Sequence, residues 1–486
     1  SDDGGGDDSG PGADTRLRLE RRRERIQKLQ TYYAGTKTGT PAAYVAYELA
    51  NQLGRSGNDL LWYAIIGVTS HHAQGRMDSD MYSGLHMALR DWVNANNTSN
   101  GGGVASANVA STLAIDDDGT RIRVPDEGRI SVKNQEYRIM LYRHWSVYEA
   151  MYHSQYVSTQ LSTWVEQGRQ RLDTFLAKMG ISKRECQQPF SFMSAQSKNK
   201  LRNKVADFKS EHGLEDLLYR SFTRTQGYAQ ETSAADTAHA MLAMIECGSS
   251  GVGAGSQKVH VPKHVAEGSA AASSNAAAHA AAGAAADKEY AAVSAERLGE
   301  NFHRACQVLQ ANSGSERSFR VGVALAQQVQ RAVIRQGVAV IQQRLLTNAG
   351  KFRYAYLSNM SDGDLNFFRR PTLLSKLAHW LIAALLSKNR KRMASNDLPL
   401  VLCVLDEERQ VFICVGTPGP KETRNRFGEA FRKAADTIEV RYKHTGFTSS
   451  VIEVEKEHVQ NFTDQLYLTL ENMDRKRHGS KRARMR

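Results

Sequence analysis

A chain of 486 residues, 41% of them hydrophobic, can bury a large core and should hold two or three domains. It has no apolar run of transmembrane length and no recognisable signal peptide, so neither a membrane span nor a secretory route is expected. The net charge is +13, and the five cysteines (Cys186, Cys247, Cys306, Cys403 and Cys414) include no C-x-x-C pair, which points to a reducing compartment and away from disulfides or zinc.

Residues 1–14 (SDDGGGDDSGPGAD) are acidic and glycine-rich, the composition of a disordered linker. Residues 16–30 (RLRLERRRERIQKLQ) read as a basic, solvated helix. The stretch Thr38–His72 follows and organises the chain. Its first half, TGTPAAYVAYELANQL, is helical, with Tyr44, Tyr47, Glu48 and Asn51 on one stripe and Val45, Leu49 and Leu53 on another. Pro41 suits its first turn. After the polar connection Gly54–Asp59, the run Leu60–Val68 reads as a strand buried on both faces of a parallel sheet. Chemistry in such sheets sits beyond the carboxyl ends of the strands, here Thr69-Ser70-His71-His72. An ordinary strand exit is the alternative, and His71-His72 lack the i, i+4 spacing of a zinc motif, so a solvated loop suits them.

Met77–Trp92 reads as a helix on the spacing of Met81, Leu85, Leu89 and Trp92, and Asn94–Gly103 as a loop. Arg129–Gly213 reads as a run of helices, with Tyr137, Leu141, Trp145, Tyr148 and Tyr152 at helical spacing and Leu161, Trp164, Val165, Leu172, Phe175, Leu176 and Met179 likewise. Gly180 stands where a C-cap belongs and Ser182 where an N-cap does. Plain core is the default role for these aromatics. Ser233–Glu246 reads as a helix, and Gly248–Asp287, rich in Gly, Ser and Ala, as a surface insertion. Two helices follow, about Lys288–Ala311 and Ser315–Asn348. The last third reads as α+β, with strands Phe352–Leu357, Leu400–Leu405, Val411–Thr417 and Ser450–Val454. Its helices are Thr372–Ser387, Phe427–Tyr442 and Lys456–Met473. The tail holds Arg475, Lys476, Arg477, Lys481, Arg482, Arg484 and Arg486 without an acidic residue. It is either a nuclear-localisation or nucleic-acid patch or a solubilising tail.

Several blocks together carry a resemblance. GTPAAYVAYELA, LLWYAIIGVT, Leu141–Ser146 (LYRHWS), GRQRL with FLAKMG, Arg370-Pro371 with Leu373–Lys376, and Phe427–Ala435 (FGEAFRKAA) occur in the order of the cell division control protein 45 family. The likeness runs from about Arg21 to Leu470. It implies a replication-fork factor related to RecJ-type DHH phosphoesterases. The implied fold is α/β: a partial DHH-type parallel-sheet domain with an inserted all-helical module and a C-terminal α+β DHH-associated-like domain. The implied division is a disordered acidic linker (1–15), the remnant of the DHH-like domain (16–128), a helical interaction module (129–230), a return helix (231–247), the low-complexity insertion (248–287), connecting helices (288–349), the DHH-associated-like domain (350–473) and the basic tail (474–486). The family's N-terminal strands are absent from this sequence, which is expected to be either a fragment or an incomplete gene product.

In active DHH relatives a strand ends in a metal-binding Asp, and that place falls on Ser70, whose neutral hydroxyl cannot replace a carboxylate on a hard cation. The family's Gly-Gly-His substrate grip corresponds to Phe427-Gly428-Glu429-Ala430, which has one Gly and no His. The resemblance therefore implies a catalytically degenerate protein without metal or other cofactor. Its implied role is a nuclear scaffold subunit of the replicative helicase, with the minichromosome maintenance ring, the GINS complex and origin chromatin as partners and no membrane. Trp145, Tyr148, Tyr152 and Trp164 are the candidate partner anchors, and Arg475, Lys476, Arg477, Lys481 and Arg482 the candidate contacts to single-stranded DNA. An active two-metal phosphoesterase is the alternative, and it needs carboxylates such as Asp59, Asp78 and Asp80 to converge. A third reading is a nucleic-acid-binding protein outside the helicase, resting on the tail alone.

Overall fold

The structure is a computed structural model that describes residues 18, 21–26, 28–29, 32, 35–99, 113–115, 121–123, 128–226, 230–248, 295–310, 313–357, 362–388, 397–444 and 448–484. The acidic stretch 1–14 and almost all of the insertion 248–287 lie outside the described residues. The chain divides into a larger unit, residues 38–344 with 359–392, and a smaller one, residues 1–37 with 345–358 and 393–486.

The larger unit starts with three helices, α1 (Ala42–Gln52), α2 (Asn58–Ala73) and α3 (Ser79–Ser99). The run Leu60–Val68 is therefore helix and not strand, and the expected loop from Asn94 is helical to Ser99. Leu61, Trp62, Ala64, Ile65, Ile66 and Val68 are all buried, so apolar residues surround α2 on most sides. A short run that is apolar on every side has no period by which helix and buried strand could be told apart. Gly67 is where α1 crosses closely: a Cβ there would lie 2.6 Å from that of Ala43. On α1 the tyrosine stripe faces inward, with Tyr44 and Tyr47 against Trp92 at 5.3 and 5.1 Å, while Val45, Leu49 and Leu53 are exposed.

The unit's three-stranded sheet is antiparallel, in the order β3 (Ile130–Tyr137), β4 (Leu218–Gln226), β5 (Gln230–Ser233); a separate two-stranded antiparallel ladder pairs β1 (Leu113–Ile115) with β2 (Arg121–Arg123). No parallel pair occurs here among the described residues, which corrects the expected parallel sheet. It also corrects the start of the helical run, because Ile130–Tyr137 finds its partner in β4, about ninety residues on. Between them lie α4 (Val147–His153), α5 (Gln155–Leu161), α6 (Glu166–Lys178) and α7 (Ala195–Phe208) around a core that includes Trp145, Phe175, Leu176 and Met179. Gly180 takes a φ of +72° beyond α6, and Ser182 Oγ accepts from the Glu185 N–H, as their sequence positions require.

Helix α8 (Ala234–Cys247) is capped by Ser233 and packs on α9 (Ser313–Gln342) through Ala240, Ala243, Met244, Val323 and Ala326. Helices α10 (Asp362–Phe368) and α11 (Pro371–Lys388) complete the unit. Trp380 of α11 is fully buried; its Nε1–H donates to Ser158 Oγ of α5 at 3.0 Å and its ring meets Trp164 edge-on at 5.0 Å. Gly337 of α9 gives the indole room, since a Cβ there would lie 2.2 Å from the ring.

The smaller unit is α+β as expected, except that the helix expected within it at Thr372–Ser387 belongs to the larger unit. Its six-stranded sheet runs β10 (Tyr442–Lys443), β11 (Val451–Glu455), β9 (Val411–Thr417), β8 (Leu400–Asp406), β7 (Arg353–Leu357), β6 (Thr347–Asn348), and only β7 and β8 are parallel. Helices α12 (Phe427–Thr437) and α13 (Val459–Arg484) cover it through Phe427, Phe431 and Phe462. The helix from Phe427 stops before Tyr442 because Glu439 takes a φ of +52°, and Tyr442 joins the sheet.

The Gly337–Trp380 contact makes a test of the larger core. Gly337→Ala should cost about 1–3 kcal/mol by overpacking, read as a lower midpoint in urea denaturation. The same change in a Trp380→Leu background should cost much less.

Candidate functional site

The block Leu141–Ser146 carries the densest polar chemistry of the larger unit. Leu141 takes a φ of +55°, which turns the chain sharply between β3 and α4. Arg143 then reaches back to β3, where its two terminal nitrogens donate to both carboxylate oxygens of Glu136 at 2.8 and 2.7 Å. Nη1 also approaches Asp236 of α8 at 3.4 Å, and His144 Nε2 lies 3.7 Å from the same carboxylate. Burial pushes the Glu136 carboxyl above the usual carboxylate range, and the hydrogen bonds from Arg143 oppose it. Burial alone would depress the Arg143 guanidinium, but the Glu136 hydrogen bonds and the Asp236 charge more than offset it and hold the cation. The rest of the block is fixed as firmly. The Arg143 guanidinium covers the Tyr142 ring at 4.5 Å, Trp145 stacks on His153 at 5.1 Å beneath Arg331, and Ser146 Oγ caps α4.

A second polar group lies where α2, α3 and β4 meet. His72 stacks on Tyr82 at 4.2 Å, and His86 packs on Phe222 at 4.6 Å. With Arg138, Arg220, Asp216, Ser79 and Ser83 they line a cavity of about 220 Å³. Burial pushes both imidazoles down to about 4, helped at His72 by the Arg138 charge, so both are neutral near pH 7. His72 thus sits in a packed helix, not in the expected solvated loop.

The residues singled out from sequence fall as follows. Ser70 stands in the last turn of α2, not at a strand end, and its Oγ accepts from Gln74 Nε2 at 2.7 Å. Trp145 and Trp164, the candidate partner anchors, are buried, the first against His153 and the second against Trp380. Tyr148 and Tyr152 are half-buried, beneath Lys183 at 5.3 Å and Arg169 at 5.7 Å. Among the module's described residues Phe192 and Val165 are the large exposed hydrophobics, and Phe192 lies outside the aromatic stripe. Gly428 packs against Ser449, with only 2.3 Å from a Cβ to that hydroxyl. Arg475 is exposed and pairs with Glu471 at 2.8 Å, one turn away on α13. The backbone of α13 continues helically to Arg484; the side chains of Lys476, Arg477, Lys481 and Arg482 lie outside the described residues. Glu136, Asp236 and Arg224 were not legible in advance, although the Arg143-His144 pair in a dense motif was the signal for the first two.

Residues 9–469 match the CDC45 family model. The chain is 30% identical over 467 residues to the cell division control protein 45 homolog of Schizosaccharomyces pombe, covering 93% of this chain and 68% of that one. It is 28% identical over 459 residues to cell division control protein 45 of Saccharomyces cerevisiae (91% and 63% covered) and 26% identical over 433 residues to the human homolog (88% and 65%). It spans less than two thirds of the length of the latter two. The crystal structure of CDC45 from Entamoeba histolytica shares the fold, with a TM-score of 0.58 at 22% identity over 88% of this chain and 71% of that one.

Two outcomes follow from the buried charges. Arg143→Met leaves two buried carboxylates without their cation and should cost about 3–5 kcal/mol; adding Glu136→Gln should recover part of that loss in chemical denaturation. For His72 the folded pKa lies below the unfolded one, so the unfolded chain binds the extra proton as pH falls from 6.5 toward 4. Stability should therefore be full above pH 6.5 and decline below it, this group contributing up to roughly 3 kcal/mol. His72→Phe keeps the stacking and should flatten that decline in melting curves taken across the window.

Proposed function

The chain belongs to the CDC45 family, a family of DNA replication factors, and from that premise we propose that it acts in replication initiation and elongation as a non-catalytic scaffold. Its partners on this reading are the minichromosome maintenance ring and the GINS complex, in the nucleus on origin chromatin. The match across residues 9–469 is the observation that carries the proposal.

Two of the three carboxylates on which the phosphoesterase alternative rests, Asp59 and Asp78, are engaged separately. Asp59 pairs with Arg224, and Asp78 Oδ1 accepts from the Met81 N–H at 2.8 Å, where it caps α3. Neither points to a shared metal. Support for docking comes from surface that the fold leaves apolar: Phe192 is 78% exposed, and Val45, Leu49 and Leu53 line the outer face of α1. Among the described residues no helix is long and apolar enough to cross a membrane.

Tagged protein recovered from its own cells under native conditions should bring ring and GINS subunits with it, identified by mass spectrometry. Their absence from the recovered complexes would overturn the scaffold reading. The DNA contact has its own test. Seven Lys and Arg residues fall between Arg475 and Arg486. If they engage roughly five phosphates of a single strand, log K against log salt should fall with a slope of about −3.5. Truncation after Asp474 should flatten most of that slope in fluorescence-anisotropy titrations.

A further inference from the structure

The first turn of α2 is open. Gly57 is its N-cap, in extended backbone with φ −147°, and offers no side chain to the free N–H groups that follow. In front of it lies a cavity of about 440 Å³ lined by Arg55, Ser56, Gly57, Asn58, Asp59, Leu60, Gly128 and Arg224. Arg224 enters from β4 and is only 4% exposed. One of its terminal nitrogens donates to Asp59, while Nε and Nη1 are buried with no hydrogen-bond partner. Asn58 of the same lining also has a buried, unpartnered Oδ1, an acceptor that does not itself contribute to holding an anion. Gly128 leaves the guanidinium its space: a Cβ there would lie 3.3 Å from Nη2.

A buried cation with two idle N–H groups is costly unless something accepts from them. The lining carries two guanidinium charges against the one carboxylate of Asp59. The helix adds its own positive end and unsatisfied amides, and together these suit a tetrahedral oxyanion. Ser56 supplies a hydroxyl at the rim. We propose that this cavity is a phosphate-binding site, formed by the α2 N-terminus, Arg55 and Arg224. The phosphate is either free or carried by a nucleotide. The site is independent of the basic tail and of the replication role.

The decisive variant is Gly57→Asp. A carboxylate at an N-cap accepts from the same amides, so it should raise the melting temperature while filling the anion's place. The experiment titrates the full chain with inorganic phosphate, thymidine 5′-monophosphate and thymidine by calorimetry, at fixed ionic strength in chloride. One saturable phosphate per chain is expected, with thymidine silent. Gly57→Asp should abolish it in a protein at least as stable as wild type, and Arg55→Ala, a surface change, should weaken it about tenfold. Asp59→Asn removes the competing charge and should tighten it. Binding of inorganic phosphate alone identifies the free ion as ligand, and binding of the monophosphate as well identifies a nucleotide; either supports the site. No saturation by either species, or affinity unchanged in Gly57→Asp, would overturn it.

Discussion

The bidentate pair between Arg143 and Glu136 is the contact on which the larger unit turns. It ties the end of β3 to the sharp turn at Leu141, and through Asp236 it reaches the first turn of α8. Glu136 and Arg143 are only seven residues apart, but Asp236 lies 93 residues beyond Arg143, so α8 must be in place before the charges are neutralised. A buried ion pair is seldom a large net source of stability against an apolar alternative, but breaking one side of it is expensive. Its effect is therefore to penalise any arrangement that separates β3, the turn and α8. The aromatic residues of the block then pack in only one way around it.

The same economy governs the rest of that unit. Trp380 is accepted only because Gly337 yields space and Ser158 takes its N–H. Asp364 of α10 is held by Arg335 and Gln336 of α9, at 2.8 and 2.6 Å. Long helices are thus locked by single polar contacts set into apolar surfaces. Interiors are dense enough that such contacts have one satisfactory geometry.

Residues that look like anchors in sequence, Trp145 and Trp164, are spent on internal order. The exposed apolar features are smaller, such as Phe192 and the outer stripe of α1. The open end of α2 is a different kind of feature, because it is polar, concave and built around a buried charge. The chain so separates the groups that hold its shape from those left facing outward.

Sequence alone determined the family, because blocks such as LYRHWS and FGEAFRKAA keep their order along the chain. It also determined most of the smaller unit's elements, where short runs rich in β-branched and aromatic residues, bounded by turn residues, mark strands such as Val411–Thr417. Capping was legible too, at Ser182 and Gly180, since a cap depends on neighbours within one turn. Only the tertiary structure decided that Leu60–Val68 is helical, because a short run that is apolar along its whole length shows no periodicity to separate helix from strand. It alone paired Ile130–Tyr137 with Leu218–Gln226 and set Glu136, Asp236 and Arg224 at their charges. Burial and pairing of a charge depend on residues distant in the chain. Local pattern carries no record of them.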